Sequence, residues 1–170
     1  MTIAGILSSK EKPKVKLEQL SNAVLSGKIA IKDLVSFYDE ADKSEKGYLM
    51  ESLEYTSQGK PEMVVSYVDF VIENINFPDS PRVRWEAARV IANLAAHSAD
   101  KLEKAIDPLI KNTKDEGTVV RWSAAFALSE LARNLESSRA KLEKLFVKLV
   151  KEEENNGVRK HYEKYLKEMS

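Results

Sequence analysis

One short pattern occurs twice and constrains the fold more than anything else in the chain. Val83-Arg84-Trp85 is followed by Ala87-Ala88, and 37 residues further on Val120-Arg121-Trp122 is followed by Ala124-Ala125. A partial third copy, Val158-Arg159-Lys160, comes 38 residues after the second, and an acid stands five positions before each arginine: Asp79, Glu116 and Glu154. One more step back leads to Lys46, with Leu49 and Leu53 in the apolar positions of the other copies. Repetition at this period describes units of one helix pair, none of which can bury its own apolar face alone.

Apolar spacing near 3.6 runs through almost the whole chain, and alternation of period two is nearly absent. Six glycines and five prolines are few in 170 residues, so they serve as punctuation. They predict helices over about 14–25, 30–40, 44–57, 61–74, 82–97, 100–112, 118–133, 138–151 and 157–169. On a helical wheel Val83, Ala87, Val90, Ile91 and Leu94 form one stripe, and Ala88, Ala92 and Ala95 form a second beside it. Val120, Ala124, Ala127, Leu128 and Leu131, with Ala125 and Ala132, repeat both stripes. A closed bundle needs one buried stripe per helix, whereas a stack of helix pairs needs two.

The Val-Arg-x-x-Ala-x-x-x-Leu opening after an acidic turn resembles the HEAT repeat family. The match is close over 79–94 and 116–131, partial over 154–166, where Tyr162 takes an alanine position, and weak over 41–56. The resemblance implies an all-α, right-handed superhelix forming a single domain. An amino-terminal tail and capping helix (1–29) would be followed by helix-pair repeats at 30–58, 60–98, 100–135 and 138–169. It also implies that the second helix of each pair lines a concave groove.

Trp85, Arg89 and Asn93 fall opposite the core stripe of their helix, and Trp122, Phe126 and Glu130 do so in the next copy. Glu86 and Ser123 are expected on the same exposed side, with the row extending to Glu51 and Tyr55 one way and to Lys160 and Lys164 the other. Large aromatic and arginine side chains on such a face suit capture of a partner segment, because they desolvate much area at little entropic cost. The competing role for each tryptophan is a cation–π brace against a neighbouring repeat's arginine. For Arg84, Arg121 and Arg159 the expected role is structural, each bonding a nearby acid and the orphan carbonyls between repeats.

Charge and composition narrow the function classes. Lys plus Arg and Asp plus Glu both total 27, which excludes a uniformly basic surface of the kind nucleic acid demands. The zero conceals a gradient, with net charge −7 over residues 31–80 and +4 over 81–170. There is no cysteine, so thiolate metal sites and cysteine nucleophiles are excluded. His97 and His161 lie in different repeats and read as helix-end or surface residues, leaving no catalytic residue, metal ligand or cofactor to name. The ten-residue uncharged run Val90–Ala99 falls well short of the roughly 20 a membrane span requires.

The expectation is a cytoplasmic, non-enzymatic interaction scaffold whose groove binds another protein or peptide. The alternative is a nucleic-acid-binding protein like the HEAT-type glycosylases that remove alkylated bases. A monomer is expected, or a weak dimer through the last helix, where Tyr162, Tyr165, Leu166 and Met169 either fold back or meet a second copy.

Overall fold

The computed structural model describes residues 1–170 and contains α-helices, short 3-10 turns and no strand. In chain order the helices are α1 (Ile3–Ser8), α2 (Pro13–Leu25), α3 (Ile31–Tyr38), α4 (Lys43–Gly59), α5 (Pro61–Val64) and α6 (Val68–Glu73). They continue with α7 (Pro81–Ser98), α8 (Ile106–Asn112), α9 (Thr118–Asn134), α10 (Glu136–Glu152) and α11 (Asn156–Met169). None is long and apolar enough to cross a membrane.

Local chemistry sets most of these boundaries. Asp42 and Glu45 form a reciprocal capping box at the start of α4. Ser80 accepts from the Val83 amide and Pro81 occupies the first turn of α7. Asn155 caps α11 through the Val158 amide. Gly27, with φ of 77°, closes α2 in the left-handed region that disfavours a side chain.

The helices form two layers. The inner row stacks α2, α4, α7, α9 and α11, each packed on the next. The outer row, α3, α5–α6, α8 and α10, covers the second buried face of that row. In α7 and α9 both predicted stripes are buried, Ala88, Ala95, Ala125 and Ala132 included. Their small side chains let neighbouring backbones approach closely, which multiplies short-range dispersion contacts. A single apolar cluster runs from Ile3 in α1 to Tyr165 in α11, so the whole chain shares one elongated core. The architecture is an all-α solenoid.

Three segments differ from the expected helices. The amino-terminal tail contains α1, whose Ile3, Ile6 and Leu7 are buried; so short a helix owes its stability to packing. The stretch 61–74 is interrupted by a 3-10 turn at Val65–Tyr67, beside a Val64–Val65 pair whose β-branching weakens helix propensity. The stretch 100–112 becomes 3-10 turns at Ala99–Lys101 and Glu103–Ala105, and α-helix starts only at Ile106. Pro108 explains this, since its ring would clash with the carbonyl of Lys104 in a continuous helix.

At the carboxyl end Tyr162 and Tyr165 are fully buried rather than exposed. Both fold back on Phe146 of α10, with ring centroids 5.1 and 5.3 Å away. Tyr165 also donates to Glu143, and burial above all pushes its hydroxyl pKa up to about 12. Met169 remains half exposed.

Candidate functional site on the inner helix row

Arginines tie each repeat to the next at the turn edge of the stack. Arg84 donates to the carbonyls of Phe77 and Pro78 in its own turn, and its Nε lies 3.2 Å from the Asp115 carboxylate of the following repeat. Arg121 does the same with the carbonyls of Asp115 and Glu116, and with Glu153 at 3.0 Å. Arg159, at the end of the array, holds the Glu153 carbonyl and pairs with Glu163 on its own helix.

Each of these arginines thus bonds turn carbonyls, while the acids it meets are not those five positions before the arginines. Asp79, Glu116 and Glu154 are exposed and make no ion pair with them. The partners of Arg84 and Arg121 stand one position earlier in the turn of the next repeat, where the chain directs the carboxylate inward. Lys46, in the equivalent place in α4, instead rests over the rings of Tyr38 and Phe77 at 5.1 and 5.3 Å.

The open face of the inner row divides into two clusters. The first lies along the α4–α7 seam. Arg82 pairs with Glu51 and stacks 4.5 Å above Tyr48, while Arg89 lies 3.8 Å from both Glu54 and Glu86. Gly47 makes this crossing possible, because a Cβ there would stand 2.8 Å from Arg82 Cδ. Asn93 is turned into the seam, donating to the Glu54 carbonyl, the Glu54 carboxylate and Ser57 Oγ. Its amide therefore locks two helices together instead of facing outward.

Glu86 and Ser123, expected on the exposed side, are buried, at 3% and 0% exposure. Both sit at the inter-helix margin of the face, where the neighbouring inner helix covers them. Glu86 accepts from the Trp85 indole at 2.9 Å, but its Oε2 has no hydrogen-bond partner. Burial, reinforced by the nearby Glu51 carboxylate, pushes the Glu86 pKa up to about 7 against the opposing pull of Arg89. Trp85 itself is half-buried, stacks on no aromatic ring and lies under no arginine or lysine.

The second cluster lies between α9 and α11. Trp122 stacks on Phe126 with centroids 5.5 Å apart and planes 16° from parallel. His161 stands edge-on to both rings, at 4.6 and 5.7 Å. The brace on Trp122 is thus an imidazole from the next repeat, and not the arginine a cation–π pairing would use. His161 is half-buried rather than exposed; burial first, then the positive field of Arg133 and Lys164, hold its pKa below the ordinary value. Arg133, which falls beside Trp122 and Phe126 on the helical wheel, pairs with both Glu130 and Glu168. Phe126, Glu130, Arg133, Lys160, His161 and Lys164 line a cleft of about 210 Å³.

Of the residues expected on this face, Trp122, Phe126, Glu130 and Lys160 come together in the α9–α11 cluster. Trp85 and Arg89 sit at the equivalent register on α7, and Tyr55 is exposed on α4. Arg82 and His161 were missed because their roles depend on contacts with a neighbouring repeat. Nowhere do three histidine, aspartate or glutamate side chains gather in a metal-holding group.

Residues 81–131 match the family described as HEAT-like repeat. No curated protein matches the chain. Among solved structures, a designed armadillo repeat protein is similar over 99% of this chain and 81% of its own, at 18% identity and a TM-score of 0.73. A designed armadillo repeat protein in complex with the peptide (KR)4 is similar over 94% of this chain and 77% of its own, at 20% identity and a TM-score of 0.71. A third match is to computationally designed armadillo repeat proteins for modular peptide recognition, with 17% identity, 97% and 79% coverage and a TM-score of 0.71.

Proposed function

We propose, from the α-solenoid fold and the HEAT-like repeat match over residues 81–131, that the chain is a non-enzymatic cytoplasmic scaffold of the HEAT and armadillo type. In this reading it works as a monomer and holds a segment of another protein along the open face of α4, α7, α9 and α11. The observation that carries the reading is the row of aromatic side chains on that face. Tyr55 is 47% exposed, Trp85 packs on no aromatic ring, and the Trp122–Phe126 stack borders an open cleft. Rigid amphipathic rings in such positions are efficient anchors for a partner chain. The peptide named with one structural neighbour, and the design purpose of another, support the use of this architecture for polypeptides.

Nucleic acid fits the face less well. Arg82, Arg89 and Arg133 are each committed to carboxylates of the chain, which reduces what remains for phosphates.

A displayed library of random dodecapeptides panned against the protein tests the reading. Enriched peptides should bind at least ten-fold more weakly to Trp85→Ala and to the Trp85→Ala, Trp122→Ala pair, with folding checked by circular dichroism. Peptides whose affinity ignores both variants would place binding elsewhere.

A further inference from the structure

The α9–α11 end of the open face carries cations that the chain itself does not neutralise. Lys160 and Lys164 are exposed, one helical turn apart on α11, and neither lies in an ion pair. The two acids beside them, Glu130 and Glu168, are both engaged by Arg133. Burial chiefly, and after it the charges of Arg133 and Lys164, oppose protonation of His161 beside them. At the α4–α7 seam the balance is different, because Glu51, Glu54 and Glu86 face Arg82 and Arg89. Free charge on this face is therefore positive and concentrated at its carboxyl-terminal end, directly beside the Trp122–Phe126 shelf.

We propose that the cleft between α9 and α11 anchors an acidic stretch of a partner polypeptide, whose carboxylates meet Lys160 and Lys164 while an adjacent apolar side chain lies against Trp122 and Phe126. This deepens the reading above, on which it rests, by naming the chemistry of the partner. Charge complementarity supplies encounter rate and register, and the aromatic shelf supplies desolvated area. A basic segment is repelled at this end.

The test uses a fluorescein-labelled dodecapeptide of equal parts leucine, phenylalanine and glutamate, with counterparts carrying glutamine or lysine in place of glutamate. Anisotropy titrations with the full chain should show the glutamate peptide binding at least ten-fold more tightly than either counterpart. The preference should weaken as salt rises. Lys160→Glu with Lys164→Glu should remove it, while Lys144→Glu with Lys151→Glu, two exposed lysines of α10, should leave it intact. Equal binding of the three peptides, or indifference to the Lys160 and Lys164 reversal, overturns the proposal. If library peptides dependent on Trp85 still bind in that case, the scaffold reading survives and only the acidic chemistry falls. Tighter binding of a twelve-nucleotide oligothymidylate, lost on the same reversal, would also overturn it, in favour of nucleic acid.

Discussion

Arg121 and Glu153 stand 32 residues apart in sequence, yet their side chains meet at 3.0 Å across the boundary between two repeats. The same guanidinium caps two carbonyls of its own turn, so one side chain joins a helix start, its preceding turn and the next repeat. Arg121→Ala leaves a nearly buried carboxylate and two carbonyls without their donor. It is expected to destabilise the fold by about 1–3 kcal/mol. Urea unfolding checks this, and an unchanged midpoint would remove the arginine series from the account of stability.

Glu86 makes stability depend on pH. Its pKa rises from an ordinary 4.5 to about 7 on folding, so the native state holds a proton that the unfolded chain has released between those values. The contribution of that proton is complete below pH 4.5 and is lost as pH rises through about 7. The loss amounts to no more than roughly 3 kcal/mol. Glu86→Gln keeps the shape without the charge, so the variant should gain on the parent between pH 5 and 8. Thermal melts at the two pH values compare them, and a constant difference would contradict the assignment.

The two tryptophans should separate in their effects. Trp122 is clamped by Phe126 and His161, so Trp122→Ala should lower stability by about 2 kcal/mol. Trp85 is half-exposed and stacks on no ring, and water entering the space its indole leaves can donate to Glu86 in its place, so Trp85→Ala should change stability by less than about 1 kcal/mol. Denaturant curves for the two single variants decide the matter. Equal losses would show that both rings are braces.

Gly47 presents a conditional gain. Alanine at a helix interior ordinarily improves on glycine by about 0.5–1 kcal/mol. Here the added methyl meets the middle of the Arg82 side chain and must push that residue off Glu51. Gly47→Ala should therefore stabilise the Arg82→Ala background more than the parent. A double-mutant cycle measures the coupling, and simple additivity would show that the crossing is not tight.

The repeats were legible because stacking demands two apolar stripes per helix, and Val83–Leu94 and Val120–Leu131 carry both in plain spacing. Helix interruptions were harder to read. Pro108 stands near the start of α8, where its own turn tolerates it, and its effect is felt by residues before it. The ladder showed its arginines but not its acids, since Asp115 and Glu116 are adjacent and only the folded turn decides which carboxylate points inward. Glu86 and Asn93 looked exposed on a single-helix wheel because a wheel contains no neighbouring helix, and α4 is what covers them.

The amino-terminal pair α1–α2 differs from every later unit in how it is attached. No ion pair crosses from it to the rest of the chain, and the one side-chain hydrogen bond that does runs from Lys60 to the Leu25 carbonyl. Apolar contact with α4 supplies nearly all of its adhesion, whereas the seams beyond it are also fastened by guanidinium groups. Deuterium should accordingly enter α1 and α2 first and α7 and α9 last, making the cap a detachable first foldon on an otherwise cooperative rod.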